Sequence, residues 1–369
     1  MRFRRIWKYT YYTGFLIAFT LVAAEIILRI YNPFPMSVTG DKITLHPNTK
    51  WILENVVGPD LDKTVVVEKN SLAFRGPEPP KDLQNYLSIL TIGGSTTECL
   101  IINQDKTWPT LLSNQLSIVL RKVWLNNAGL NGHSTHGHIK ILQDYVVKLK
   151  PKVCIFLVGC NDIDRPDLSK SDRTIFNENQ NFIISLARHS VLANVGLNYY
   201  RHQRAKQRQL TVGLTYTLKG FPQRIISESE TSEILLKLKP DVVRYGERLK
   251  EIINICRTAN IIPVFLTQPC LLGNSIDDMT GVDLATFPFG DVNGAVVWSE
   301  YKMYNAETIR ICNDENVKVI DLANNMPKSS KYFYDAFHYN NAGCRKLCEL
   351  IAPQLQAYLK EKFPAFDLK

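Results

Sequence analysis

From Tyr86 onward the chain alternates between short apolar runs rich in β-branched residues and stretches with helical spacing, and this alternation limits the fold more than any other feature. The runs are Leu87–Ile92, Val123–Asn127, Val153–Val158, Ile261–Leu266 and Val317–Leu322, bounded by Gly, Pro or Asn as strands are. Between them, Trp108, Leu111, Leu112, Leu116 and Leu120 make one apolar helical face, and Ile139, Leu142, Tyr145 and Val146 make another. Val243, Leu249, Ile252 and Ile253 recur similarly, as do Ile309 and Ile311 in a helix ending near Asn316. A last helix runs from about Ala342 to Leu359 with Leu347, Leu350, Ile351 and Leu355 inward. Strands separated by helices of this length predict a parallel sheet covered on both faces, a three-layer α/β domain. Such sheets bind ligands beyond the carboxyl ends of their strands, so the loops there should carry the chemistry.

Upstream the texture differs. Arg2, Arg4, Arg5 and Lys8 lead into the uncharged stretch Tyr9–Ala24, and apolar character continues to Tyr31, interrupted by Glu25 and Arg29. Roughly 20 mostly apolar residues span a bilayer, and residues 9–31 reach that length if Glu25 and Arg29 lie near the far interface, where their spacing of four lets them neutralise one another. Two readings fit: an uncleaved single-pass anchor, or a signal peptide cut after Ala24 that leaves a secreted protein. The apolar residues beyond that cut favour the anchor, and the basic start places the amino terminus in the cytoplasm and the rest outside. The chain thus divides into an anchor (residues 1–33), ended by the prolines of Asn32-Pro33-Phe34-Pro35; an extension (34–84) with an alternating run at Thr64–Glu68; and the main domain (85–369). Within the main domain, residues of about 164–238 are too many for an ordinary loop and read as an insertion, partly helical around Phe182–Leu197.

The net charge of +9 is diffuse apart from the basic start and Arg201, His202, Arg204, Lys206 and Arg208 inside the insertion, which read as a solvated basic loop. No nucleic-acid-reading module accompanies it, so no nucleic-acid partner is expected. The eight cysteines show no CxxC spacing. Cys344 and Cys348, four apart on one helix, hold their Cβ atoms wider than a disulfide wants, so scattered core thiols are expected, an awkward fit to an oxidising compartment.

The strand ends carry four polar blocks. The first strand closes in Thr91-Ile92-Gly93-Gly94-Ser95-Thr96-Thr97, where glycines permit the tight turn that presents a nucleophilic serine. A phosphate-binding loop would need a following Gly-Lys-Ser/Thr, which is absent. The second strand closes in Asn127-Ala128-Gly129-Leu130-Asn131-Gly132-His133-Ser134, and the third in Val158-Gly159-Cys160-Asn161-Asp162. Tyr334-Asp335-Ala336-Phe337-His338-Tyr339-Asn340 precedes the last helix. Each block alone is common in turns and helix caps. In this order, from about Leu87 to Leu359, they resemble the SGNH (GDSL-like) hydrolase family, whose blocks centre on Ser, Gly, GxND and DxxH. The lead-in Asn70–Glu78 and Thr267-Gln268-Pro269 are similar to membrane-anchored bacterial members. Gly94 departs from the family's Asp before the serine, a residue outside the triad.

The resemblance implies a flavodoxin-like fold with Ser95, Asp335 and His338 as a catalytic triad. It implies an oxyanion hole from the backbone amides of Ser95 and Gly132 and the side chain of Asn161, and no cofactor or metal. His133, His136 and His138 invite a zinc reading, but no nearby acidic or cysteine partner completes a set, and His133 is expected to line the pocket. The implied reaction is hydrolysis of an acyl ester, of a small acyl group on a surface glycan. Acyl transfer to a glycan hydroxyl uses the same triad, and a non-catalytic glycan-binding or assembly module is the remaining alternative.

Overall fold

The computed structural model describes residues 2–34, 36–54, 56, 58–163, 172, 182–207 and 218–368, with side chains of the helix ending at 207 described as far as Arg201. Most of the basic cluster of the insertion, from His202 onward, and the insertion's residues 164–171, 173–181 and 208–217 therefore lie outside the described side chains. The chain divides into two compact units, residues 1–46 with 174–211 and residues 47–173 with 212–369.

In the larger unit the first sheet strand, β5 (Leu87–Gly93), is buried at every position. It pairs in parallel with β6 (Val123–Asn127) on one side and β7 (Val153–Leu157) on the other, and β7 pairs with β8 (Ile262–Leu266), which pairs with β9 (Lys318–Ile320). In chain order the five strands lie 2-1-3-4-5, the flavodoxin-like arrangement, whose order reverses beside the first strand. Near-continuous apolar strands are required because helices cover both faces. One helical group is α3 (Trp108–Val119) with α9 (Asn341–Lys362). The other is α7 (Glu228–Thr258) with α8 (Gly294–Asp314) and α4 (Thr135–Ile141), which continues through a π-helical turn, Leu142–Val146.

The expected helical faces are largely present, with Val243 the exception: it is 59% exposed, while Leu249, Ile252 and Ile253 of the same helix are buried. In α3, Trp108, Leu112 and Leu116 are buried, Thr107 caps the start by accepting the amide of Thr110, and Pro109 occupies the first turn, where its missing N–H costs nothing. The third face belongs to a longer element than the sequence spacing indicates: α7 starts at Glu228, capped by Ser227, and runs through Pro240. Pro240 is exposed, so water can serve the carbonyl that it leaves unbonded. All eight cysteines are free thiols, and all but Cys160 are buried.

Residues 47–84 belong to this unit. The alternating run forms β4 (Val65–Glu68), antiparallel to β3 (Lys50–Leu53), with Val65 and Val67 fully buried against Val56 and Ile101. Tyr334 packs on the same cluster.

The smaller unit contains α1 (Arg2–Ile30), the hairpin β1 (Val38–Thr39) and β2 (Lys42–Ile43), α5 (Phe182–His189) and α6 (Val191–Gln207). Residues 6–30 of α1 are long and apolar enough to cross a membrane, at mean hydropathy 1.9. Glu25 and Arg29 form the ion pair their spacing allows, at 2.7 Å, and Glu25 also accepts from Ser190 Oγ and the amides of Val191 and Leu192. A carboxylate there satisfies the free amides at the start of α6 and suits its positive end. Arg188 grips Asp41 through two hydrogen bonds, and Asn194 and Asn198 hold the carbonyl of Val38.

Candidate active site

The turn after β5 is built by close approach. A Cβ on Gly93 would lie 2.1 Å from Thr97 Oγ1, and one on Gly94 would lie 2.4 Å from Asn161 Nδ2 and 3.0 Å from the His133 carbonyl oxygen. Here the glycine in place of the family's aspartate matches the nearness of the Asn161 amide. Ser95 opens the single-turn helix α2 (Ser95–Glu98), in which the amides of Thr97 and Glu98 donate to the Gly94 carbonyl. Cys99 closes the turn in the left-handed conformation, φ 53°, with its amide on the Ser95 carbonyl.

Far along the chain, the loop before α9 brings its two polar residues to this serine. His338 Nε2 lies 2.7 Å from Ser95 Oγ, and His338 Nδ1 lies 2.7 Å from Asp335 Oδ2. The spacing of three is what makes the second contact: Asp335 Oδ1 accepts the amides of Phe337 and His338, both at 2.8 Å, folding the loop so that Oδ2 faces the imidazole. Tyr334 stacks on the imidazole with ring centroids 5.4 Å apart and planes 7° from parallel. Burial acts to raise the Asp335 carboxyl's pKa, but the charge and hydrogen bond of His338 and the two loop amides outweigh it, holding the carboxyl below its ordinary value. With Asp335 ionised, Nδ1 carries the imidazole proton and Nε2 is left to accept the Ser95 hydroxyl, the arrangement a general base needs.

The other two strand-end blocks converge on the same turn. Leu130 donates its amide to the Gly93 carbonyl at 3.0 Å, and Gly132 has a left-handed φ of 75° with nothing within 4 Å of where a Cβ would be. Asn161 gives one amide N–H to the His133 carbonyl at 2.9 Å, which leaves its second N–H for another acceptor. Asp162 accepts from the backbone and hydroxyl of Thr135 and pairs with Arg248 at 3.2 Å, fixing the loop behind Asn161. All five residues that the sequence points to, Ser95, Gly132, Asn161, Asp335 and His338, therefore lie around one turn.

The histidine cluster behaves differently. His133 and His138 are buried, and burial pushes both imidazoles down to about 3, so they are neutral at physiological pH. Asp172 accepts from the amides of Ser134 and Gly137 at the start of α4, and burial raises its carboxyl to about 6. Among the described residues, no group of three or more His, Cys, Asp or Glu is arranged to hold a metal.

Several residues around the turn are given no role by the sequence, although Arg75, Gln268 and Tyr334 stand inside blocks that carry the resemblance. Glu98, Lys69, Arg75 and Tyr334 all pack beneath the turn, and Gln268 accepts from Thr96 Oγ1 while donating to Tyr339 Oη. A signal existed for Glu98, which closes the same helical turn that Ser95 opens; Lys69 stands just outside the lead-in block and nothing in spacing points to it.

A model of the GDSL-like Lipase/Acylhydrolase family matches residues 91–346. Comparison with curated proteins gave no match. Among solved structures, an acetyl xylan esterase is 15% identical with TM-score 0.41, covering 72% of this chain and 98% of its own. A lipase/acylhydrolase from Enterococcus faecalis is 15% identical with TM-score 0.41 (73% and 96% covered). The esterase EstA from Pseudoalteromonas sp. is 12% identical with TM-score 0.39 (74% and 99%).

Proposed function

Since the chain belongs to the GDSL-like lipase/acylhydrolase family and is an SGNH-type esterase, we propose that it cleaves its ester through an acyl-enzyme on Ser95. The observation that carries this is the unbroken chain of two 2.7 Å contacts from Ser95 through His338 to Asp335. Ser95 Oγ attacks the acyl carbonyl as His338 Nε2 takes its proton, and the same nitrogen returns the proton to the departing alcohol. Asp335 keeps the imidazole oriented and offsets its transient positive charge. The oxyanion takes hydrogen bonds from the amides of Ser95 and Gly132 and from Asn161 Nδ2; each such donor is worth about 2.7–4 kcal/mol in comparable sites. Water activated by His338 then releases the acid.

The substrate proposed is a small acyl ester on a glycan outside the cytoplasm, and the protein is held at the membrane by α1 with its amino terminus cytoplasmic. In support of an uncleaved anchor, α1 runs unbroken past Ala24, and Glu25, where a cut chain would begin, caps α6 from within the last two turns of α1. Intact-mass measurement of the membrane fraction tests this: a mature chain starting near Glu25 overturns it.

The deciding experiment mixes full-length protein in detergent with an activated acetyl ester and quenches with acid. Mass spectrometry is expected to find the acyl group on Ser95, and Ser95→Ala to lose both label and turnover. Equal labelling of the variant refutes the nucleophile. Adding candidate glycans separates the acceptors: free acid alone means hydrolysis, whereas acylated glycan means transfer.

A further inference from the structure

Beneath the nucleophile turn lies a buried ion pair that the triad chemistry does not use. Glu98, in the last position of the four-residue helix that Ser95 opens, has a side chain only 8% exposed. Its Oε2 accepts the amide of Asn131 at 2.8 Å, and its Oε1 lies 3.3 Å from Lys69 Nζ, whose side chain is 11% exposed. A carboxylate this enclosed is expensive unless it is paired and hydrogen-bonded, and these two partners meet that need. Lys69 comes from the segment between β4 and the lead-in to the sheet, and its ammonium also lies 5.6 Å from the centre of the Trp51 ring on β3. Arg75, 1% exposed, fastens the same turn by donating to the carbonyls of Glu98, Cys99 and Ile102.

We infer that the Lys69–Glu98 pair positions the oxyanion hole, with Glu98 as a positioning residue and Lys69 as the cation that holds its carboxylate in place. Asn131 immediately precedes Gly132, which has positive φ, and a Cβ built there would meet nothing within 4 Å. Fixing the Asn131 amide fixes the peptide unit that leads into the Gly132 N–H. Because the fixing group stands on the same turn as Ser95, nucleophile and oxyanion donor move as one body. Residues 47–84 thereby become a working part of the site, since removing Lys69 leaves the Glu98 carboxylate buried without its counter-charge. Preorganised donors act chiefly on the transition state. The pair should therefore govern kcat and the affinity for tetrahedral mimics, and leave KM nearly unchanged.

This inference rests on Gly132 being an oxyanion donor, as proposed above, and the test separates the two ideas. Full-length protein in detergent is assayed with an activated acetyl ester and with a small alkylboronic acid, which forms a tetrahedral adduct on the serine. Glu98→Ala is expected to lower kcat by 10- to 100-fold, with KM within twofold, and to weaken the boronate by a similar factor. Glu98→Gln, which keeps an acceptor oxygen for the Asn131 amide, is expected to recover most of the loss. Glu98→Asp keeps the charge but draws the oxygen back, and is expected to resemble Glu98→Ala; it also serves as the probe if the alanine variant does not fold. Asn161→Ala is run alongside. If Asn161→Ala weakens the boronate while folded Glu98→Ala and Glu98→Asp bind it and turn over like wild type, the positioning role is refuted and the oxyanion hole stands. If neither Asn161 nor Glu98 variants change boronate affinity, the oxyanion assignment falls and the inference falls with it.

Discussion

The two units of this molecule both contain long apolar runs, and they dispose of them in opposite ways. In the sheet unit, β5 and β7 bury every side chain against the strands and helices of the same unit, and Trp108, Phe156 and Phe265 are fully enclosed. In the anchor unit, the apolar window of α1 is 0% buried; a few small-unit residues such as Ile43, Ile184 and Ala187 are buried, and polar contacts join its pieces as well: Glu25 at the start of α6, Arg188 on Asp41, and Asn194 on the hairpin. Hydropathy alone does not separate the two cases. An apolar residue needs somewhere away from water, and the sheet unit supplies that place from its own chain whereas α1 supplies none. Catalytic groups need the first arrangement, because only a packed interior holds a hydroxyl, an imidazole and a carboxylate to fixed distances.

That contrast can be broken or sharpened by experiment. If the catalytic apparatus resides wholly in the sheet unit, Ser95→Ala should lower turnover by roughly 10⁴-fold or more, and adding His338→Ala should cost little further, because the triad acts as a unit. A double variant much worse than the single would show that the two residues act independently. Asn161→Ala should come next, with turnover down roughly 10²–10³-fold and the thermal midpoint nearly unchanged; a variant that unfolds instead marks Asn161 as a turn residue serving the His133 carbonyl.

The packed unit should also have a sensitivity to acid that comes from its interior. His133 and His138 sit near 3 when folded against about 6.5 when free. Below 6.5 the unfolded chain therefore binds protons that the native chain does not, so stability is held above pH 6.5 and lost as pH falls toward 3. For one such histidine the loss between pH 6.5 and 4.5 is roughly 2 kcal/mol. Denaturant midpoints measured across that range should fall less steeply in His138→Gln; an unchanged slope would mean that His138 is not held neutral. The smallest effect should lie in the other unit. Glu25→Ala removes the carboxylate at the start of α6, worth about 1 kcal/mol as a helix cap. Amide exchange at Val191 and Leu192 in micelles should quicken several-fold while ester turnover stays within twofold, and a large fall in turnover would show that the units are functionally coupled.

How much of this was readable from the chain follows from the range of the interactions. The five sheet strands and the strand-end blocks were legible because each is written in local spacing, whereas Ser95, Asp335 and His338 stood out as a set only through the resemblance of those blocks, in order, to the family's. Apolar runs of strand length, a glycine pair before a serine, and an aspartate three residues ahead of a histidine all stand within a few positions of one another. The Glu25–Arg29 pair was legible for the same reason, being one helical turn apart. Two glycines were legible as a turn, but that Gly94 must stay bare because Asn161 lies against it was not.

What the tertiary structure alone decided is the set of partners brought together from distant parts of the chain. Lys69 meets Glu98 and Glu98 meets Asn131; Tyr334 is stacked on His338 while resting on valines from β4; Glu25 finds the first amides of α6 across more than a hundred and sixty residues. None of these has a periodicity to announce it, since a hydrogen bond or an ion pair depends on where two atoms end up and not on how far apart they lie in sequence. The start of α7 belongs here too, because burial of Leu238 and Tyr245 against the rest of the fold carries the helix through a proline that its local sequence would use to stop it. Local spacing is what a sequence writes down, and so it marked the sheet and the strand-end blocks; partners that meet across the chain exist only once the chain has packed.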